Sequence, residues 1–197
     1  MSRKIALLIA PGFEEGEATV IADVLRRAGF LCQLVSTAGE VVTGAHQMKL
    51  SADLQLAPSL AECLEQFADY DMLLLPGGWT GVENLEADQR VLELVRAFAA
   101  DPQKYLGAIC AAPGVLARAG VVKGRTLTSY PSEKLYPLFE EANYTEDTVA
   151  LDGHLITSRG PASALPFAFA IVDLLGGESA PIKERFLYQI LKEYPDA

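Results

Sequence analysis

The chain of 197 residues has little cysteine and histidine, a deficit of positive charge and no long unbroken apolar run. Its cysteines, Cys32, Cys63 and Cys110, are odd in number and form no CxxC pair. That excludes a disulfide framework and makes a reducing cytoplasm the default location. Only two histidines, His46 and His154, accompany them, so a structural zinc site is not expected. Lys and Arg number 16 against 26 Asp and Glu, a formal charge of -10. Such a surface lacks the basic stripe that a phosphate backbone requires, so nucleic acid is not an expected partner. The most apolar run, 162–175, is interrupted by Pro166 and Asp173 and is too short to span a membrane. Neither GxGxxG nor GxxxxGK followed by Ser or Thr occurs, which removes the usual nucleotide fingerprints. Internal repeats, low-complexity tracts and linkers are also missing.

Half the residues are apolar, enough for the core of one domain spanning 1–197. The opening MSRKIALLIAPG has a brief apolar part and no small-residue cleavage site before the acidic 14–17 run. It reads as a first strand, not a signal peptide. Residues 4–10 form that strand and 15–28 a helix with Ala18, Ile21, Ala22 and Leu25 on one face. A second strand follows over 30–36. A β-α-β start of this kind predicts parallel strands in a right-handed crossover. Residues 41–56 read as a small excursion or hairpin and 60–67 as a short helix. A buried strand at 71–75 ends in Pro76-Gly77-Gly78, and 91–98 belongs to a further helix. Later, 125–129 reads as a strand and Ser132 as the cap of a short helix toward Phe139. Strands 148–151 and 154–158 flank the hairpin signal Asp152-Gly153. Two helices, 161–175 and 182–194, close the chain. The repeated β-α order predicts an α/β fold with a mostly parallel sheet covered on both faces.

The stretch KYLGAICAAPGVL, 104–116, organises this reading. An apolar strand, 105–109, runs into Cys110 and then at once into helix-compatible residues. The sharp turn at Cys110 is that of a nucleophile elbow, which lifts the thiol over the end of the sheet. A helix start behind it would aim free N–H groups at the sulfur and lower its pKa. Ligands of such sheets bind beyond the carboxyl ends of the strands, and 11–17, 76–79, Cys110 with Ala111, and Tyr130 all follow strand ends.

A free cysteine is often only a small buried hydrophobe, and Cys32 within a strand and Cys63 within a helix read that way. Position at the elbow marks Cys110 as reactive. Glu17, in the first turn of the first helix, would serve the helix dipole if it faced water. If it faces Cys110, burial and the neighbouring thiolate both raise its pKa. Glu14 and Glu15 read as solvated neighbours. Gly77 and Gly78 are either a plain turn or a place where backbone N–H groups meet a developing oxyanion together with the Ala111 N–H. His154, beside its hairpin turn, is expected to be exposed, and His46 reaches at most a pocket rim. Tyr130 donates a hydrogen bond, but a phenol near pKa 10 is a poor base at pH 7.

GFEEGEATVIADVLRRAGF at 12–30, DMLLLPGG at 71–78, GAICAAPGVLA at 107–117 and LITSRGPASALPFAFAIVDLLGG at 155–177 resemble the ThiJ/PfpI superfamily. The similarity is to the branch that holds the parkinsonism-associated protein deglycase and its bacterial relatives, and it covers nearly the whole chain. It implies a flavodoxin-like three-layer sandwich and a homodimer. It also implies a reactive, readily oxidised cysteine at Cys110 hydrogen-bonded to Glu17, with the N–H groups of Gly78 and Ala111 bordering a pocket. Gly77, Trp79, Tyr130 and His46 are the further pocket candidates. Ala111 stands where the protease branch carries histidine, which argues against peptide hydrolysis. Tyr130 replaces a histidine common in the branch, and His46 replaces an arginine near the neighbouring subunit's pocket.

The function implied is glutathione-independent conversion of methylglyoxal to lactate, with deglycation of early glyoxal adducts, using Cys110 as nucleophile and Glu17 as proton carrier. No metal or cofactor is expected, and the partners are a small aldehyde or glycated group and a second copy of the chain. The rival reading is an oxidative-stress sensor or chaperone-like protein whose Cys110 is held as a sulfinate. A third is a cysteine hydrolase or hydratase of small molecules.

Overall fold

The structure is a computed structural model describing residues 2–192. Its centre is a seven-stranded sheet in the order β10-β11-β7-β6-β1-β2-β5. The strands are β1 (Lys4–Ile9), β2 (Leu31–Ser36), β5 (Leu54–Gln55), β6 (Met72–Leu75), β7 (Tyr105–Ile109), β10 (Val149–Asp152) and β11 (Leu155–Ser158). All neighbours are parallel except β10 and β11, the hairpin expected at Asp152-Gly153. Between β2 and β5 the chain makes the small antiparallel ribbon of β3 (Val41–Thr43) and β4 (Lys49–Ser51).

Successive residues of a strand point to opposite faces, and β1 shows how this builds two cores. Ala6 and Leu8 join a cluster with Phe67, Val91, Val95, Phe98 and Leu116. Those residues belong to the layer of α2 (Leu60–Gln66), α3 (Trp79–Ala87), α4 (Gln89–Ala100) and α5 (Pro113–Arg118). Ile5, Leu7 and Ile9 join Ile21, Leu25, Phe167 and Val172 on the other face, from α1 (Glu15–Arg27) and α6 (Ala164–Leu174). Gly107 in β7 makes room for this second core, because a Cβ there would lie 2.2 Å from Leu74 Cδ2. Among the described residues no helix is long and apolar enough to cross a membrane.

Several elements differ from the sequence reading. Helix α3 was not anticipated. Residues 125–129 supply only β8 (Thr126–Leu127), which pairs with β9 (Asn143–Tyr144) outside the main sheet. The Ser132 hydroxyl caps no helix; it accepts from the Lys134 N–H, and a short 3-10 turn follows at Tyr136–Phe139. The helix expected over 161–175 begins as a 3-10 turn, Pro161–Ser163, before α6. The last expected helix, 182–194, is interrupted. Helix α7 (Ala180–Arg185) stops before Leu187, whose φ of 53° breaks the helical path, and a 3-10 turn occupies Tyr188–Lys192. Residues 193–194 lie outside those described.

Candidate active site

Strands β1, β6 and β7 are parallel neighbours, so their carboxyl ends open on one edge of the sheet. There the loop after β6 locks onto the loop after β1. Glu14 N–H donates to the Gly77 carbonyl at 2.9 Å, and Gly81 N–H to the Gly12 carbonyl at 3.0 Å. Gly78 has a φ of 89°, and a Cβ on it would lie 2.4 Å from the Gly12 carbonyl oxygen. Both conformation and space therefore require glycine at that position.

Cys110 follows β7 directly with a φ of 64°, a left-handed conformation that is uncommon for a side chain bearing Cβ. The elbow is held from both sides. Cys110 N–H donates to the Ser158 carbonyl at 3.0 Å, and the Cys110 carbonyl accepts from the Tyr130 N–H at 2.7 Å. Helix α5 begins only at Pro113, after a turn through Ala111 and Ala112, and has six residues. The groups that donate to the sulfur are instead the N–H groups of Ala111 and Gly78.

Glu17 is fully buried. Its Oε2 accepts from the Gly77 N–H at 2.7 Å, while Oε1 is buried without a partner of ordinary hydrogen-bond geometry. The other polar group acting on the carboxyl is the Cys110 thiol. Gly77 is the spacer that lets them meet. A Cβ there would stand 2.6 Å from Cys110 Cβ, 2.9 Å from Glu17 Oε2 and 3.0 Å from the sulfur.

Burial pushes the Glu17 carboxyl up to about 7, against the Gly77 N–H and the Cys110 hydrogen bond, with help from the Glu14 charge. Burial, then the Glu17 charge and its hydrogen bond, push the thiol up to about 12; the Ala111 and Gly78 N–H groups oppose this. The expected simple lowering of the thiol pKa is therefore not met, because the half-buried thiol loses solvation and stands across Gly77 from a buried acid. Above neutrality the pair holds one negative charge and one proton between two groups. One N–H favours that charge on Glu17 and two favour it on sulfur.

Trp79 follows Gly78 directly, and its ring meets that of Tyr130 edge to face at 6.2 Å. Both are partly open, 42% and 41% exposed, and each is joined to the thiol site through its backbone, Trp79 by following Gly78 and Tyr130 by its N–H on the Cys110 carbonyl. Lys134, which the sequence reading passed over, places its ammonium 5.4 Å from the Trp79 ring centre. No local spacing pattern links those residues, since Trp79 opens α3 while Tyr130 and Lys134 lie some fifty residues later.

His46 lies elsewhere within the chain. Its Nδ1 is 3.0 Å from Glu15 Oε2 and 3.6 Å from Glu14 Oε1, and no contact joins it to Cys110. Glu15 is not solvated as expected but 1% exposed, because the ribbon after β3 closes over it. Its Oε1 accepts from the N–H groups of His46 at 2.7 Å and Met48 at 3.3 Å. Glu14, Glu15 and His46 bring ligand atoms within 4.8 Å of one another, but a cation there would compete with the His46–Glu15 bond. His154 is half-buried, not exposed, with its ring 4.5 Å from that of Tyr105. Cys32 and Cys63 are both buried, and the Cys63 thiol donates to the Ala57 carbonyl at 2.9 Å.

The profile of the DJ-1/PfpI family matches residues 3–174. Protein dj-1beta of Drosophila melanogaster is 41% identical over 179 residues, covering 90% of this chain and 92% of its own. A crystal structure of Drosophila melanogaster DJ-1beta superposes with a TM-score of 0.84 at 37% identity, covering 95% of this chain and 98% of that one. Toxoplasma gondii DJ-1, solved in an oxidised form, gives a TM-score of 0.84 at 27% identity over 94% and 98% of the two chains. A cysteine elbow, a buried glutamate and a paired-glycine loop at one sheet edge thus sit in a fold shared with these proteins, and the chain belongs to the DJ-1/PfpI family.

Proposed function

We propose that the protein converts small 2-oxoaldehydes to 2-hydroxy acids without glutathione, methylglyoxal to lactate being the simplest case. The observation that carries this reading is the Cys110–Glu17 pair, a fully buried carboxyl facing the thiol across Gly77, with the Gly78 and Ala111 N–H groups beside the sulfur. In the thiolate form, sulfur adds to the aldehyde carbon and the carbonyl oxygen becomes an alkoxide near the N–H groups of Gly78 and Ala111. Protonated Glu17 gives that oxygen its proton, which makes a neutral hemithioacetal. Glu17, now a carboxylate, takes the proton from the former aldehyde carbon, and the electron pair passes onto the ketone oxygen to give an enediolate. Reprotonation at the neighbouring carbon leaves a thioester of lactate, which water hydrolyses to free Cys110. The aldehyde carbon is oxidised and the ketone carbon reduced, so the only co-reactant is one water.

The test is lactate formation from methylglyoxal by the reduced protein, beside Cys110→Ser and Glu17→Gln. Loss of turnover in both supports the reading, and activity retained in Cys110→Ser sinks it.

A second reading, that of an oxidation sensor, draws on the same two N–H donors, which suit a sulfinate oxygen as well as an alkoxide, and on the oxidised form of the Toxoplasma relative. Selective uptake of two oxygen atoms at Cys110 from peroxide, with no lactate formed, would favour it. Deglycation of early glyoxal adducts and assembly as a homodimer belong to the same proposal. Sedimentation of the native protein at twice the chain mass would support the dimer.

A further inference from the structure

We infer that the mouth of the Cys110 site selects 2-oxoaldehydes whose second substituent is an aromatic ring. This rests on the proposed aldehyde chemistry and names the substrate class within it. The observation is the pair of rings that the site's own backbone carries. Trp79 is covalently next to Gly78, whose N–H approaches the sulfur, and Tyr130 is tied to the Cys110 carbonyl through its N–H at 2.7 Å.

The two rings meet at 85° with centroids 6.2 Å apart, and Gly160 lies against Tyr130, since a Cβ there would be 3.6 Å from Tyr130 Cδ2. Lys134 sits over Trp79. Neither ring is packed away, each keeping about two-fifths of its surface open. An edge-to-face pair leaves ring surface free for a third ring to join in stacked or edge-on contact. A substrate held by sulfur through its aldehyde carbon carries its remaining substituent only one carbon further out. A methyl group there would gain little from Trp79 and Tyr130, whereas a phenyl group would reach them.

Trp79 is the chain's only tryptophan, so its fluorescence reports the mouth directly. The binding arm titrates the reduced protein with phenylglyoxylate, which has the ring and a 2-oxo acid but no aldehyde, against pyruvate, which lacks the ring. Phenylglyoxylate is expected to quench saturably and to bind about tenfold tighter than pyruvate, an advantage lost in Tyr130→Ala and kept in Tyr130→Phe. The turnover arm compares kcat/KM for phenylglyoxal, read as mandelate, with that for methylglyoxal, read as lactate. That ratio is expected to fall about tenfold in Trp79→Ala and in Tyr130→Ala.

Ring-dependent binding without turnover of either aldehyde would overturn the proposed activity and leave the aromatic site standing. Turnover of both aldehydes at one ratio in all variants, with equal binding of the two acids, would overturn the inference and leave the activity standing. Fluorescence that follows protein concentration and ignores phenylglyoxylate would mean that a second copy covers the rings, which also overturns it. Circular dichroism on each variant checks the fold, and the partial exposure of both rings makes truncation tolerable.

Discussion

A single proton shared by Cys110 and Glu17 sets what this site can do at a given pH. If that proton lies on Glu17 often enough to expose a thiolate, alkylation of Cys110 by iodoacetamide will rise through about pH 7, where the first proton leaves the pair. In Glu17→Gln no proton is shared, so that rise should shift away from neutrality. A native profile that rises only far into the alkaline range would put the first charge on Glu17 and leave the thiol protonated near its value of about 12. The same residue makes a stability prediction. Its pKa is raised from 4.5 to about 7 by burial, so between those values the folded state binds more protons than the unfolded one. Stability then falls as pH rises through that window. The loss amounts to about 3 kcal/mol once the carboxyl is ionised, at 1.36 kcal/mol for each pH unit of the gap. Glu17→Gln escapes this loss, and its unfolding free energy relative to the native chain should climb between pH 4.5 and 7, as urea titrations at stepped pH would record. A constant difference would mean that Glu17 is not held up by burial.

At the scale of elements, the ribbon of β3 and β4 is secured by Glu15. Burial alone would raise that carboxyl, yet its own N–H, the His46 side chain and the N–H groups of His46 and Met48 outweigh burial and keep it low. Gly44 is the condition for this, since a Cβ there would fall 2.2 Å from Glu15 Cδ. Gly44→Ala should therefore cost about 1–3 kcal/mol by overpacking and loosen the ribbon, measurable by urea unfolding and by faster exchange of the Met48 amide. His46 is raised above 6.5 by its hydrogen bond to Glu15, then by the charges of Glu14 and Glu15. Its contribution is present below 6.5 and is lost as pH rises through the folded value. Protection of the Met48 amide should fall across that window in the native protein but not in His46→Ala.

These elements also show what a sequence displays and what it conceals. Strands β1, β6 and β7, helix α1, the hairpin at Gly153 and the elbow were readable because apolar period, Gly and Pro mark them locally. Helix α3 was hidden because its N-cap is Gly78, without a side-chain cap. Glu15 looked solvated because the ribbon that buries it arrives about thirty residues later. The rise of the thiol pKa was not readable because it comes from burial first and then from the Glu17 charge on α1, both set by the folded arrangement.

For the whole molecule, the sheet ties two cores into one unit, and β1 runs through both. Leu7 and Leu8 are neighbours in the chain and fully buried, yet Leu7 packs with Ile21 and Phe167 and Leu8 with Phe67 and Val95. Each truncation to alanine should cost about 2–5 kcal/mol, the range for a large side chain deleted from a packed interior. The place of the loss distinguishes two designs. If the layers on the two faces were separable, Leu7→Ala would weaken α1 and α6 and leave the α2–α5 layer standing, giving an early partial transition. If the sheet couples them, either variant lowers one common transition, because no strand can keep its pairing while losing a face. Coupling is the expected result. Every central strand contributes alternate residues to both clusters, and the parallel ladder from β2 to β11 runs unbroken. Urea unfolding followed by far-ultraviolet circular dichroism reports helices of both layers, and Trp79 fluorescence reports the carboxyl edge beside Cys110. In both variants the two signals should move together. A helical signal that departs before Trp79 changes in Leu7→Ala alone would show that the face carrying α1 and α6 unfolds by itself, taking Glu17 away from Cys110 while the elbow remained.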